Sequence, residues 1–295
     1  MPTRRQIREA TVQFLYCSDL EGGASPILLR DAFWQSLTET DRRNLLVATF
    51  RTVHHLAHGR ETRLTEFVQR SQAATPHLTA VPAAERLLLE LNRLLALESS
   101  WSIAYTTLER IPKDRDDNDV ADEFESALES FFKIDRDLEF NRAQFLKLTE
   151  DFPSLKARTE AVAASVRRLQ RVSDRLRMVE APENFPEQAD LTKIRQSKAE
   201  IADLQDRTDA LVDAVLASKE EVDAKLSTLV ENYTPERIDP VDRAILRLGT
   251  YELLKTQTPS KVIINEAIEL AKRFGTTDSG RFVNGLLDSV AKGRG

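Results

Sequence analysis

Apolar residues recur every three or four positions along most of this chain, in stripes that glycine and proline rarely cut. The stripe Ile194, Ile201, Leu204, Leu211, Val215, Val222 and Leu229 contains neither residue. A helix gathers positions of that spacing on one face, whereas a half-buried strand alternates at every second residue. The stripe therefore predicts one helix of about 40 residues, roughly 60 Å long at the usual rise per residue. Phe124, Leu128, Phe131, Leu138 and Phe145 share the period, as do Val162, Val166, Leu169, Leu176 and Val179. Only nine of 295 residues are glycine, few for a fold of tight turns, so the expected class is all-α.

A chain of this length is expected to form two compact units. Ile7, Ala10, Phe14 and Cys17 give residues 4–19 an apolar helical face, which Gly22 and Gly23 end. Pro26 opens a second helical stretch that runs to about Gly59. Between 61 and 208, Pro76, Pro82, Pro112, Pro153, Pro182 and Pro186 each interrupt or start a helix. The apolar stripes in this middle segment call for partner helices, packed as hairpins or short coiled-coil arms. Further on, Asp239 is placed to cap a helix that begins at Pro240, and Gly275 stops the next one. Asp278 or Ser279 caps a last helix with Phe282, Val283, Leu286, Leu287 and Val290 on its core face.

The net charge of −6 gives no general attraction to a polyanion, so nucleic-acid binding would need a local basic face. Residues 111–160 hold 14 acids and 8 bases, a balance of −6 that equals the charge of the whole chain. Cys17 is the single cysteine, which excludes a disulfide framework or a thiolate metal cluster within the chain. The first twenty residues lack a continuous apolar core with a cleavage site, and no later stretch approaches a membrane span. The expectation is a cytoplasmic protein. His54, His55 and His58 invite a metal reading, but no glutamate or cysteine completes a ligand motif there. No phosphate-cradling glycine loop and no nucleophile motif stands in the sequence, so neither catalytic residues nor a cofactor are expected.

Three blocks in order carry a resemblance. They are Ile238-Asp-Pro-Val-Asp-Arg-Ala-Ile-Leu-Arg-Leu-Gly-Thr-Tyr-Glu-Leu-Leu, Val262-Ile-Ile-Asn-Glu-Ala-Ile-Glu-Leu-Ala-Lys-Arg-Phe-Gly and Asp278-Ser-Gly-Arg-Phe-Val-Asn-Gly-Leu-Leu-Asp. With the arginine-rich opening Arg4-Arg-Gln-Ile-Arg-Glu-Ala-Thr-Val-Gln-Phe-Leu-Tyr, they resemble the NusB family of antitermination factors. Removing 61–208 takes out 148 residues and leaves 147, enough for the family's whole helical domain. The resemblance thus implies a NusB-like bundle built from 1–60 and 209–295, with 61–208 as an inserted helical hairpin or coiled-coil-like region. Arg51 to Val68 can also stand in for a family helix, which would start the insertion nearer Ser71.

The resemblance further implies binding of single-stranded boxA-type RNA, a ribosomal small-subunit partner, NusE, and action on the RNA polymerase elongation complex without catalysis. No DNA or membrane partner is implied. It assigns RNA contact to Arg4, Arg5, Arg8, Gln13, Tyr16, Lys272, Phe274, Ser279, Arg281 and Phe282. Arginines one turn apart suit the phosphates of a flexible strand, although such a row is equally read as a solvated face. Tyr16 offers a ring for base stacking or packs in the bundle. The apolar repeat puts Phe282 in the core. Partner contact falls to Asp242, Arg243, Arg247 and Asp278, while Asp242 also favours the positive end of its helix regardless of any partner. An alternative function is a NusB-like scaffold, or an accessory of ribosomal-RNA modification, whose insertion binds another protein.

Overall fold

Thr3 opens the first helix by accepting a hydrogen bond from the Gln6 backbone N–H at 3.2 Å, while the Gln6 side chain accepts from the Thr3 N–H at 2.8 Å. This reciprocal box satisfies two donors that a helix start would otherwise leave free. The computed structural model describes residues 1–22, 26–113, 118–229 and 237–293, so Gly23 lies outside the described residues. Helices α1 (Arg4–Leu20), α2 (Pro26–Leu37), α3 (Glu39–Ala57), α4 (Arg60–Thr79), α5 (Glu85–Arg110) and α6 (Asn118–Glu150) follow in order. They continue as α7 (Lys156–Glu180), α8 (Thr192–Ala217), α9 (Lys219–Ser227), α10 (Pro240–Lys255), α11 (Ser260–Phe274) and α12 (Ser279–Lys292). Among the described residues there is no strand, and no helix is long and apolar enough to cross a membrane.

Two compact units emerge, Met1–Thr40 with Lys198–Gly295, and Asp41–Ser197. In the first, α10 packs on α1, α9, α11 and α12, and its Ala244, Ile245, Leu248 and Leu253 are buried. Asp239 caps it, its Oδ1 accepting from the Val241 N–H at 2.9 Å, and Pro240 takes the first helical position. A Cβ on Gly249 would lie 2.7 Å from Leu287 Cδ1, so glycine lets α12 approach α10 closely. Val283, Leu287 and Val290 form the buried face of α12. Two arginines fasten α10 at this end. Asp19 of α1 receives Arg243 at 2.7 Å and Arg247 at 2.8 Å, and Asp223 of α9 receives Arg247 at 2.9 Å.

The expected helix of about 40 residues is broken. Ser218 leaves helical geometry at ψ 8°, and its N–H is shared between the carbonyls of Ala214 and Val215. The break joins α8 to α9, whose Val222 and Leu226 enter the same core as Val215. Lys255 of α10 also pairs with Glu221 of α9 at 2.7 Å. Tertiary contacts therefore override a pattern that contains no breaker residue.

In the second unit, α5 and α6 each lie between two neighbours, and α7 returns to α4, which closes a four-helix ring. Short 3₁₀ turns beginning at Pro82 and Pro153 join α4 to α5 and α6 to α7. Pro76 departs from expectation, because it stands inside the last turns of α4 without ending it. At the centre, Glu98 of α5 accepts from Arg142 of α6 at 2.6 and 3.1 Å and from Arg60 of α4. Arg142 also donates to Ser173 of α7 at 2.7 Å, and Ser173 and Trp101 both donate to Asp135. One buried polar network thereby touches all four helices of the ring.

Candidate nucleic-acid interface

The first turn of α1 presents Arg4 and Arg5 to solvent beside the last turns of α11. Arg5 lies 3.5 Å from Glu269 of α11 and 3.7 Å from Glu9 on its own helix. Lys272 holds the same Glu269 at 2.8 Å, and Arg273 crosses to Glu9. A Cβ on Gly280 would lie 3.7 Å from Lys272 Cγ, so the start of α12 abuts that turn. Arg281 is exposed there, and the neighbouring Phe282 is 39% exposed. Phe274 is half-buried, with the Arg273 guanidinium carbon 5.3 Å from its ring centroid.

Lys272, by hydrogen bond and charge, and Arg5 beside it hold the Glu269 carboxyl below its ordinary pKa. The surface thus alternates cations with carboxylates. Water screens solvent-exposed ion pairs of this kind, so phosphate oxygens can compete for the same guanidiniums.

Several expected contacts sit elsewhere. Arg8 is 6% exposed, and its Nε lies 3.0 Å from both Glu252 oxygens, so its guanidinium staples α1 to α10 instead of facing solvent. Ser279 is also buried, accepting from the Thr276 N–H at 2.8 Å. Gln13 and Tyr16 are half-buried, and Tyr16 packs against the core of its unit. Phe282 corrects the apolar repeat, which placed it in the core. Its helix buries Val283, Leu287 and Val290, and that arc leaves Phe282 outside.

Of the residues expected to meet a protein partner, Arg247 is buried and saturated by Asp19 and Asp223, which removes it from the surface. Arg243 is mostly buried on Asp19. Asp242 is buried too. Burial raises its carboxyl pKa, the Ser279 hydroxyl opposes that rise, and Asp239 adds to it. Asp278 stands exposed at the N-cap of α12.

Glu9, Glu252 and Glu269 were missing from the sequence-based set, and no local pattern announces them. In the other unit, His54 Nδ1 lies 2.6 Å from the Tyr105 hydroxyl and its ring stacks on Tyr105 at 12°. Among the described residues no group of three or more potential metal ligands occurs.

Residues 155–292 match the NusB family. This span begins ahead of residue 209, where the resemblance resumes the bundle after the insertion, and includes α7. Over 91 residues the chain is 45% identical to the transcription antitermination protein NusB of Anaeromyxobacter dehalogenans, covering 31% of this chain and 64% of that protein. The protein of the same name from Macrococcus caseolyticus is 42% identical, with 29% and 66% covered. That of Pseudoalteromonas atlantica is 52% identical, with 28% and 59% covered. The chain thus spans just under two thirds of the length of these relatives. A solved T. maritima NusB structure is 38% identical and aligns over 34% of this chain and 75% of that one, at a TM-score of 0.30.

Proposed function

From the premise that residues 155–292 carry a NusB-family domain, we propose that the protein is a transcription antitermination factor. In this reading it binds single-stranded boxA-type RNA with the ribosomal protein NusE and supports RNA polymerase through ribosomal-RNA operons in the cytoplasm, without catalysing a reaction. The names of its relatives support the first part. The observation that carries the RNA reading is the surface joining Arg4 and Arg5 to Lys272, with Arg281 and the exposed Phe282 at the adjoining helix start. Unpaired strands are held by cations on phosphates and by rings under bases, and this surface offers both.

The RNA-binding domain is then assembled from 1–60 and 209–295 around the inserted 61–208. The compact unit that joins Met1–Thr40 to Lys198–Gly295 supports bringing the chain ends together. Contact with NusE falls to the exposed Asp278 and to Arg243, part-exposed at the start of α10. Arg8, Asp242, Ser279 and Arg247 take structural roles.

A short boxA-type RNA, titrated at two salt concentrations, tests this. Arg4→Ala with Arg5→Ala should weaken binding about ten-fold at low salt and flatten the salt dependence by about 0.7 for each lost phosphate contact. Equal affinity and equal slope in the variant would reject this surface.

A further inference from the structure

We propose that the solvent face of α7 is a second phosphate-binding surface, engaged by single-stranded RNA longer than the short boxA-type site. The proposal rests on the RNA reading above and adds a surface that lies within Asp41–Ser197.

Helix α7 carries seven bases, Lys156, Arg158, Arg167, Arg168, Arg171, Arg175 and Arg177, against Glu160, Asp174 and Glu180. Its balance of +4 stands out in a chain of −6. The side toward α4 and α6 is apolar, with Val162, Val166, Leu169, Val172, Leu176 and Val179 buried. Arg167, Arg171 and Arg175 run along the opposite side at successive intervals of four, and all three are exposed. Their column covers about 12 Å of helix axis.

The acids nearby are engaged elsewhere or balance only part of the column. Glu160 pairs with Arg167 at 2.9 Å, Glu66 of α4 with Arg168 at 2.7 Å, and Asp174 accepts from Gln170. Arg171 and Arg175 make no ion pair among the described residues. Like charges four apart on a helix repel, and among the described residues only Glu160, on Arg167, and the exposed Asp174 answer the column. All three positions hold arginine, whose forked donors fit phosphate oxygens better than the point charge of lysine. A row of such forks, spaced along one line and backed by a rigid ring of helices, suits an extended polyanionic strand.

The full-length protein is titrated with a 12-nucleotide boxA-type RNA and with a 40-nucleotide strand containing it. Arg171→Ala with Arg175→Ala should weaken binding of the long strand five- to ten-fold at low salt, with a slope shallower by about 1–2, and leave the short RNA within two-fold. Arg171→Lys with Arg175→Lys should keep most of the long-strand affinity, and circular dichroism should show both pairs folded. Unchanged affinity and slope for the long strand would overturn the proposal and leave α7 as a surface for an acidic protein. Loss of binding by the alanine pair on both RNAs alike would overturn it as well. The Arg4/Arg5 variant separates the two readings: if it binds the short RNA normally, the first surface fails, while the long-strand comparison still decides α7.

Discussion

Glu98→Ala should destabilise the Asp41–Ser197 unit by about 3–5 kcal/mol, the usual result of removing one partner from a buried charge pair. The carboxylate is 2% exposed and answers two guanidiniums, those of Arg142 and Arg60, which are themselves 1% and 3% exposed. Burial pushes Arg60 down to about 10 even with Glu98 beside it, so the charge is held at a cost that the carboxylate offsets. Without Glu98, Arg60 keeps the face of Trp101, 3.4 Å from its guanidinium carbon, and the more distant charge of Asp135, while Arg142 keeps the Ser173 hydroxyl. The carboxylate that both guanidiniums touch is gone. Urea denaturation should show the loss, with amide exchange accelerating in α4 to α7, and the melting temperature should fall by roughly 10 °C or more for a unit of this size. Replacing Arg60, Glu98 and Arg142 together by methionine or leucine should be milder, because the one charge then left buried in the network, Asp135, still accepts from Trp101 and Ser173. A loss under 1 kcal/mol for Glu98→Ala would mean that water reaches the network.

The helical class was legible because the periodicity is local. The Asp239–Pro240 start of α10 and the buried Val283, Leu287 and Val290 of α12 follow from residues within one or two turns of each other. Arg8 was not legible in the same way. Ile7, Ala10, Phe14 and Cys17 define one apolar stripe, but the buried arc of α1 also includes Thr11, Val12, Leu15 and Ser18, and Arg8 begins that second column. Its acid, Glu252, stands 244 residues away, so no local pattern could announce the pair. The break at Ser218 has the same origin: contacts with α10 decide it. Among the cations, sequence separates an interface from a staple only where burial shows in the flanking positions. For Arg5, exposed beside Glu269, and Arg8, buried on Glu252, it does not.

Arg8→Ala should therefore act on folding, not on RNA. Removing the guanidinium leaves Glu252 buried on α10, with Glu266 of α11 raising its pKa and only the weaker influence of Arg4 still lowering it. Burial already raises the Glu252 carboxyl, Arg8 opposes that rise, and Glu266 adds to it. Deleting Arg8 lifts it further. A carboxyl whose folded pKa exceeds its unfolded value binds its proton more tightly in the native state, so the variant regains stability as pH falls through that raised pKa. At neutral pH the loss should be about 3 kcal/mol, and it should shrink on acidification toward the ordinary carboxylate range. Arg8→Ala with Glu252→Gln should recover part of the loss at neutral pH, since the amide removes the stranded charge while keeping the shape. Where the single variant remains folded, its affinity for boxA-type RNA and its salt slope should match the parent protein. A slope flattened by a full phosphate contact in folded Arg8→Ala would instead place this guanidinium on the strand and overturn its role as a staple.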